Sequence, residues 1–507
     1  MTKLKGSQGV VSIIKSRRTE LLALVLCILP VMFINVGPYH DWGGDFAMYI
    51  QQAINLVEGR PHGETHYVFN PYIPLLSPPS YGVGFPLLLA PAYWLFGNEI
   101  VPFVTTINLF YLGFFILIFK YTRREFNFFE SFIITVGLAF TPQLLTFKGE
   151  ILSDIPFAFF IALALYIYPI AKKRSSLVLF GAVGLIIGYS MLIRSIGAAL
   201  LLAFMIDQGF DFLKSWGRNR KDTLDFLSKT GVLSMTTLGL YLMVGVVLFP
   251  AKQDGFSFFS DFFFTEPLGD QIRKGLEYSF LRTDQTFTTD AGKWQFLSYL
   301  NRSVIICMLV MGMAIKVTGR FNHADYFFLI YMTVLILYPV FSQGFRYMLP
   351  LLPIGCGYVL TGISSLRFKK KPIKPLVYSL FALGIYYGYK HEVEMVEETY
   401  PRWYKGSRTA EAVEVFSVIK NTSTEDEVII FNKPRVVGLY TARDSYALNP
   451  HSDSLELKKQ LEELKWDYIL TCIELNDSIY RAVIRNNQYP TKKVFENARF
   501  TLHERLE

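Results

Sequence analysis

HDWGGDFAMYIQQAINLVEGRPHGETHYVFNPYIPLLSPPSYGVGFPLLLAPAYWLFG, residues 40–97, is the longest polar interruption in the first half of the chain. It lies between two strongly apolar segments, carries four carboxylates and three histidines, and includes a Pro/Gly-rich run from Pro71 to Pro86. Carboxylates beside a segment long enough to cross a bilayer are uncommon. This stretch is therefore the first place to look for functional residues.

The composition is that of a membrane protein. Of the 507 residues, 51% are hydrophobic, 16% are aromatic and only 18% are charged, and the mean hydropathy is +0.30. Soluble chains of this length are rarely so apolar. The formal net charge of +8 is explained better by short basic loops at a membrane than by nucleic-acid binding. The four cysteines have no paired spacing, so neither a disulfide framework nor a zinc motif is predicted.

Apolar runs of roughly 16 to 22 residues predict about eleven membrane-spanning helices. The first follows a basic N-terminus without a small-residue cleavage site, which favours a retained helix over a secretory signal. Residues 84–97 are too few to span comfortably and contain two prolines, so an interfacial or re-entrant helix is predicted there. The predicted spans lie near 20–37, 101–119, 127–147, 154–171, 176–193, 196–211, 229–250, 302–317, 324–342, 346–366 and 373–389.

The loop charges predict an orientation. Threading the spans in alternation brings most loop Lys and Arg residues to the side of the basic N-terminus, and this bias marks the cytoplasmic side. Residues 1–19 are then a cytoplasmic N-terminus and residues 20–390 a transmembrane domain. The first loop (38–100) and the aromatic-rich loop 251–301, which resembles a segment lying on a membrane surface, are predicted outside.

The composition changes after about residue 390 to that of a soluble domain. TAEAVEVFSVIK and SLELKKQLEELK have the pattern of amphipathic helices, and DEVIIF and DYILTC that of buried strands. Alternation of such segments predicts a small α/β domain over residues 391–507, outside the membrane. The predicted fold is thus an α-helical polytopic membrane protein with a small soluble α/β C-terminal domain.

Asp45 is the leading candidate for a catalytic base. In DFAMY, Asp45 and Tyr49 are four residues apart and share a face if the segment is helical, as the apolar spacing from Phe46 to Val57 indicates. The alternative is that Asp41 or Asp45 only caps the start of this helix.

A second acidic cluster lies in KGEILSDIPFAFF, where Lys148, Glu150 and Asp154 occupy a short loop between two apolar spans. Ionisable groups at this depth are functional candidates by default. The alternatives are helix capping by Ser153 or Asp154 ahead of Pro156, and a lysine that merely anchors the chain at the interface.

Arg194 and Arg346 are predicted on the outer side, against the charge bias. A guanidinium retained there suggests an anionic partner such as a lipid phosphate, and its planar fork suits that group. The alternative for both arginines is an internal ion pair with Asp45, Glu150 or Asp154. The three histidines of the first loop lack a metal-binding spacing. A divalent metal between Asp45 and the second acidic loop is compatible with the sequence, but no ligand set demands one, so no metal site or other cofactor is predicted.

The order of these features resembles the GT-C glycosyltransferases, particularly the bacterial branch related to protein O-mannosyltransferases and to the aminoarabinose transferase that modifies lipid A. The resemblance rests on DFAMY, SPPSYGVGFPLLLAPAYWLFG, SDIPFAFF, LIRSIG and FRYMLPLLP in that order, followed by a soluble C-terminus. The Gly43–Gly44 pair before Asp45 departs from the family pattern. The extra lumenal repeat domain of the mannosyltransferase branch is not recognisable, which argues against that branch's acceptor.

The resemblance implies roles for individual residues. An essential aspartate in the first outer loop and a second acidic residue in the next one match Asp45 and Asp154, with Glu150 as the rival for the second role. Cations near the carrier phosphate match Arg194 and Arg346, with Lys148 as a further candidate. The expected substrate pocket contains aromatic residues of the same motifs, namely Tyr49, Tyr81 and Tyr347.

The expected function is transfer of a sugar from a polyprenyl phosphate or pyrophosphate carrier to a glycan, lipid or protein acceptor. The reaction would proceed with inversion on the outer face of a bacterial inner membrane. A phosphate leaving group is already stable as an anion, so one carboxylate base and phosphate-binding cations are sufficient. Two other classes stay open: a transporter or lipid flippase, and a non-enzymatic component of envelope assembly or export.

Overall fold

The structure is a computed structural model. It describes residues 17–34, 36–73, 78–215, 220–250, 267–287, 295–319, 321–338, 344–366, 406–475, 477–485 and 489–506, with scattered positions between 375 and 390. The predicted span 373–389 falls largely outside these described residues.

The membrane part of the chain is a bundle of helices. Within the described residues five of them are long and apolar enough to cross a membrane, and further apolar helices are shorter. The helices up to residue 366 are α1 (Arg17–Ile28), α2 (Gly44–Glu58), α3 (Gly84–Phe96), α4 (Ile100–Thr122), α5 (Phe128–Ala139), α6 (Pro142–Phe147), α7 (Asp154–Arg174), α8 (Leu177–Ile193), α9 (Ala198–Ser215), α10 (Arg220–Leu240), α11 (Leu268–Phe287), α12 (Gln295–Thr318), α13 (His323–Leu337) and α14 (Leu352–Ser365).

The predicted spans lie on these helices, with local differences. The run 127–147 is divided into α5 and α6, because Pro142 begins a new helix and holds Thr141 in an extended conformation. The run 346–366 begins as a 3-10 segment, Gly344–Leu351, before α14. Within the predicted outer region 251–301, the described residues form α11 and the start of α12, and its place at a membrane surface stays a prediction. The number of crossings stays a prediction.

Polar residues fix the helix ends. Asn127 with Glu130, and Asn322 with Asp325, form capping boxes that satisfy backbone N–H groups at the starts of α5 and α13. The basic run Lys172–Arg174 ends α7, where positive charge complements the helix dipole. Lys172 also pairs with Asp207 of α9 at 2.6 Å, which joins two helices at that end of the bundle.

The C-terminal part is an α/β unit, as predicted. Its five-stranded sheet has the order β2-β1-β3-β5-β4, with β1, β2 and β3 parallel and β5 antiparallel to both β3 and β4. The predicted helices and strands are present. The additional elements are a helix and a short strand after β1, a helix after β3, and the final hairpin. The elements are α15 (Ala410–Thr422), β1 (Ile429–Ile430), α16 (Pro434–Thr441), β2 (Ser445–Tyr446), α17 (Ser454–Glu463), β3 (Tyr468–Cys472), α18 (Ser478–Arg485), β4 (Thr491–Glu496) and β5 (Phe500–Arg505).

The first loop is docked on the edge of this sheet. Tyr67 forms a parallel bridge with Ser445 of β2. Ser445 donates to the His66 carbonyl at 3.0 Å and accepts from the Val68 N–H at 3.0 Å. The amide of Asn70, which is fully buried, donates to the Ala447 carbonyl at 2.8 Å. An edge strand offers unpaired backbone groups, and the loop satisfies them here. The predicted α-helical membrane fold with a small C-terminal α/β domain is confirmed, and that domain is anchored to the first loop.

Candidate active site

Asp45 lies in the first turn of α2, at one end of the helical bundle. The residue before the helix is Gly43, and Asp45 itself makes no capping bond at the helix start. One carboxylate oxygen, Oδ1, accepts from the Tyr81 hydroxyl at 2.7 Å and from Nη1 of Arg435 at 2.8 Å. The other, Oδ2, lies 3.5 Å from Nη1 of Arg346. The capping alternative therefore does not describe Asp45, whose side chain points into a cluster of donors.

These neighbours keep Asp45 ionised. Burial alone would raise its pKa, but the charges of Arg435 and Arg346 and the hydrogen bond from Tyr81 outweigh that effect and lower the pKa to about 2. Burial raises the pKa of Tyr81 well above its usual value, so the phenol stays protonated and donates to the carboxylate. The site thus holds a carboxylate anion with a fixed orientation.

A second group of site residues joins α2 to α7 and α8. The Tyr49 hydroxyl and the Ser153 hydroxyl are hydrogen-bonded at 2.9 Å, and Nε of Arg194 donates to the same Ser153 oxygen at 3.0 Å. Arg194 also pairs with Asp154 at 2.8 Å, and the Asp154 side chain is only 2% exposed. The sequence left open whether Arg194 pairs with a carboxylate or with a ligand, and the structure pairs it with Asp154.

Tyr347 connects the two predicted phosphate-binding arginines. Its ring centre lies 5.3 Å from the Arg194 guanidinium and 5.5 Å from that of Arg346. Such stacking fixes the guanidinium planes. Tyr49 and Tyr81 are stacked with ring centres 4.7 Å apart. The structure therefore brings together the predicted site residues Asp45, Asp154, Arg194, Arg346, Tyr49, Tyr81 and Tyr347.

The other two predicted residues have different surroundings. Burial and the nearby Asp41 raise the pKa of Glu150 to about 7, so this carboxyl is partly protonated at neutral pH. Lys148 donates to the backbone carbonyl of Ile34, at the end of the first helical segment. Burial lowers the pKa of Lys148 to about 7, so this amine is partly deprotonated at neutral pH. Both groups are weaker candidates than Asp154 and the two arginines.

Two glycines of the first loop allow Tyr81 to approach the turn that carries Arg194. A Cβ on Gly82 would lie 2.5 Å from the Leu192 carbonyl oxygen, and one on Gly84 would lie 2.6 Å from the Ile193 nitrogen. The backbones touch directly because neither position has a side chain. This contact places α3 and Tyr81 against the end of α8.

Gly84→Ala tests this close approach. The added methyl would overlap the Leu192–Ile193 backbone, so we expect a loss of stability of about 1–3 kcal/mol and a lower transfer rate. The matched control is Gly209→Ala within α9, where an added Cβ meets nothing within 4 Å. Melting temperatures of the two purified variants provide the measurement. Equal melting temperatures would contradict the predicted backbone contact.

Arg435 is the site residue that sequence reasoning missed. It lies in the first turn of α16, its side chain is only 5% exposed, and it reaches from the C-terminal domain to Asp45. Its guanidinium also contacts the position of Gly44, where a Cβ would lie 3.6 Å from Nη1. Gly44, of the Gly-Gly pair that departs from the family pattern, therefore packs next to Arg435. The NKPR segment that follows the predicted strand DEVIIF could have indicated Arg435. In parallel sheets, ligands bind beyond the carboxyl ends of the strands.

The described residues contain no cluster of three or more His, Cys, Asp or Glu side chains that could hold a metal ion. Asp45 and Asp154 are each paired with arginine, so a cation between them would face guanidinium charge. Within the part of the chain that the structure describes, Asp45 and Asp154, as they are paired here, do not form a ligand set for a metal ion. Of the first-loop histidines, His62 is bonded to Gln52 at 2.8 Å and His66 lies 3.3 Å from Asp444.

Residues 80–244 match the family model for dolichyl-phosphate-mannose-protein mannosyltransferase, which is about a third of the chain. These residues include Tyr81, Asp154 and Arg194. A comparison with curated protein sequences finds no significant match.

Solved structures share the fold across nearly the whole chain. ArnT from Cupriavidus metallidurans, bound to undecaprenyl phosphate, has a TM-score of 0.57 at 13% identity, covering 96% of this chain and 98% of that one. The oligosaccharyltransferase of Archaeoglobus fulgidus, in complex with Zn and sulfate, has a TM-score of 0.55 at 15% identity, covering 90% and 68%. The same archaeal enzyme tethered to an acceptor peptide has a TM-score of 0.55 at 14% identity, covering 93% and 71%.

At this identity the structural likeness establishes the fold, and the family model adds the enzyme class. The resemblance inferred from the sequence motifs is confirmed: this integral membrane protein has the GT-C fold, and the chain is a glycosyltransferase.

Proposed function

We propose that this protein transfers a sugar from a polyprenyl-phosphate or pyrophosphate carrier to an acceptor, with Asp45 as the single catalytic base. The observation that carries the proposal is the convergence of the ionised Asp45 carboxylate and two partly buried arginines, Arg194 and Arg346, at one end of the bundle. ArnT, which shares the fold over 96% of this chain, is described as bound to undecaprenyl phosphate. The acceptor is a glycan, a lipid or a protein.

Arg346 is the principal candidate for the donor phosphate. Its side chain is 15% exposed, and its nearest carboxylate oxygen is 3.5 Å away, beyond ordinary hydrogen-bond distance. Among the residues that the structure describes, its buried Nε has no hydrogen-bond partner. A buried donor without a partner is costly, and a phosphate oxygen would satisfy it. Arg194, held by Asp154 and stacked on Tyr347, lies beside it and adds a second positive charge.

The reaction needs one proton transfer. The acceptor hydroxyl attacks the anomeric carbon from the face opposite the phosphate and gives its proton to Oδ2 of Asp45. The bond between the anomeric carbon and the phosphate oxygen breaks, and the phosphate leaves as an anion that the arginines stabilise. Attack from the opposite face inverts the anomeric configuration.

The orientation of Asp45 suits this role. Oδ1 is held by Tyr81 and Arg435, whereas Oδ2 faces Arg346. A carboxylate with a pKa of about 2 is a weak base, and a general base works best with a pKa near the working pH. Binding of the donor would draw the charge of Arg346 to the phosphate, which would free Oδ2 and raise the pKa of Asp45. Donor binding and activation of the base are then the same event.

The transporter alternative predicts movement of the donor without chemical change. The assay uses purified protein in nanodiscs, a panel of radiolabelled polyprenyl-phosphate and polyprenyl-pyrophosphate sugars, and an envelope extract as the acceptor source. We expect label to leave one donor class and appear in the acceptor. Unchanged donor throughout the panel, together with donor translocation in proteoliposomes, would favour the transporter.

The proposed orientation in the membrane is inferred from the charge of the loops, and it can be tested separately. We propose a bacterial inner membrane with the N-terminus in the cytoplasm and the C-terminal domain outside. Ser452, in the loop before α17, provides the probe. A cysteine at Ser452, with Cys27, Cys307, Cys356 and Cys472 replaced by serine, should react with an impermeant maleimide on intact cells. Labelling only after the cells are lysed would reverse the orientation.

A further inference from the structure

The C-terminal domain contributes a side chain to the candidate base. The guanidinium of Arg435 lies 5.3 Å from the ring centre of Tyr67 and 5.5 Å from that of Tyr81, and its Nη1 is 2.8 Å from Oδ1 of Asp45. Tyr67 itself forms the bridge to β2 at the sheet edge. A continuous set of contacts therefore leads from the sheet through Tyr67 and Arg435 to Asp45.

Arg435 has the properties of a rigid support. Its side chain is 5% exposed, it follows Pro434 in the first turn of α16, and its guanidinium lies within 5.5 Å of two aromatic ring centres. Stacking of this kind orders a guanidinium before any ligand binds. It donates to Oδ1, the oxygen that Tyr81 also engages, and leaves Oδ2 on the side of Arg346.

We propose that Arg435 is a positioning residue for the transfer reaction, through which the docked C-terminal domain orients Oδ2 of Asp45 toward the acceptor proton. This rests on the proposed function. The active site is then complete only when the sheet edge is docked on the first loop. A domain that merely sat beside the membrane part would make no such contact with the base.

The alternative role for Arg435 is direct binding of the donor phosphate. Two observations favour positioning: its Nη1 is 2.8 Å from Oδ1 of Asp45, and its guanidinium lies 5.3 Å and 5.5 Å from the ring centres of Tyr67 and Tyr81. Arg346, by contrast, is 3.5 Å from Asp45 and has a buried nitrogen without a partner among the described residues. The two arginines thus have separable roles.

The pH profile distinguishes positioning from a purely structural contact. The charged and titratable groups around Asp45 come from four elements. They are Tyr49 on its own helix, Tyr81 in the first loop, Lys433 immediately before α16, Arg435 within α16, and Arg346 in the 3-10 segment. Burial raises the pKa of Asp45 and the two arginines lower it, so removing Arg435 raises it. The pH at which Asp45 becomes protonated then rises, so acidification should inactivate Arg435→Ala at a higher pH than wild type.

The experiment measures donor KM, kcat and the pH dependence of kcat/KM for wild type, Arg435→Ala and Arg435→Lys in nanodiscs. We expect Arg435→Ala to lower kcat by about 100-fold, as loss of reactive geometry can do, with donor KM nearly unchanged. The wild-type kcat/KM should stay level from pH 7 to pH 5 as far as Asp45 determines it, whereas that of Arg435→Ala should fall. Arg435→Lys keeps the charge and should keep the level profile at an intermediate kcat.

Arg408→Ala is the matched control. Arg408 pairs with Glu99 at 3.0 Å and so also ties the C-terminal domain to the first loop, but it does not contact Asp45. This variant should keep the wild-type pH profile. The proposal is overturned if Arg408→Ala reproduces the pH change, if Arg435→Ala raises donor KM without lowering kcat, or if Arg435→Ala behaves as wild type.

Two further results distinguish a failure of the Arg435 role from a failure of the proposed function. If Arg435→Ala does not fold, Arg435→Gln replaces it, and equal pH profiles for Arg435→Gln and Arg435→Lys would overturn the positioning role. If Asp45→Asn transfers sugar at the wild-type rate, the proposed function itself fails. An inactive Asp45→Asn beside a fully active Arg435→Ala would reject only the role of Arg435.

Discussion

Asp45→Asn should lower kcat for sugar transfer by at least about 100-fold, because general-base catalysis contributes about 10²–10⁴-fold. The substitution preserves the shape of the side chain, and its amide oxygen can still accept from Tyr81 and Arg435 at Oδ1. What it removes is the second anionic oxygen, Oδ2, which takes the proton of the acceptor. Donor binding should therefore remain, since the proposed phosphate ligands are unchanged.

Asp41→Asn is the control for this substitution. Asp41 lies four residues earlier, accepts from the Gly43 N–H at 2.8 Å and belongs to the entry to α2 rather than to the cluster of donors. It should retain most of the wild-type rate. Equal losses in Asp41→Asn and Asp45→Asn would indicate that the two variants disturb the helix start and would remove the special role of Asp45.

Arg346→Ala should weaken donor binding by about 10- to 150-fold, because a hydrogen bond to a charged group contributes about 1.5–3 kcal/mol. The two arginines differ in how closely a carboxylate of the protein pairs with them. Arg194 is paired with Asp154 at 2.8 Å, whereas Arg346 has Asp45 only at 3.5 Å. The guanidinium that is less satisfied in the protein has more to gain from a phosphate. Donor KM from initial rates, or direct titration with polyprenyl phosphate, provides the measurement.

Arg346→Lys and Arg273→Ala make the test specific. A lysine keeps the charge but loses the planar fork, so part of the affinity should return. Arg273 on α11 is 62% exposed, and its removal should leave donor KM unchanged. An Arg346→Ala enzyme with wild-type KM would refute the phosphate role, and a similar loss in Arg273→Ala would indicate a general surface-charge effect.

The local part of the site could be predicted from the sequence. The helical spacing of DFAMYIQQAI places Asp45 and Tyr49 on one face of α2. The position of Asp154 between two apolar runs predicts a place at the membrane boundary, and Arg194 stands out as a charged residue among apolar neighbours. Each of these signals lies within a few residues of the side chain that it predicts. The pairing of Arg194 with Asp154 was among the alternatives that the residues left open.

The long-range part could not be predicted. Arg435 is 390 residues from Asp45 along the chain, and the bridge from Tyr67 to Ser445 joins segments that are similarly distant. No periodicity encodes such a contact, because it depends on how the sheet edge meets the first loop. Strands β1 and β2 are only two residues long, too short for an alternating pattern. The final hairpin was also missed, although β4 and β5 are each six residues long.

The most direct test of the account follows both products of one reaction. Wild-type protein and Asp45→Asn, each in nanodiscs, are given a donor with differently labelled sugar and polyprenyl phosphate. Wild type should transfer sugar to the acceptor and release lipid phosphate in equal amounts. Asp45→Asn should bind the donor but neither transfer sugar nor release lipid phosphate. Equal rates in the two proteins, or intact donor with wild type across the whole panel, would contradict the account.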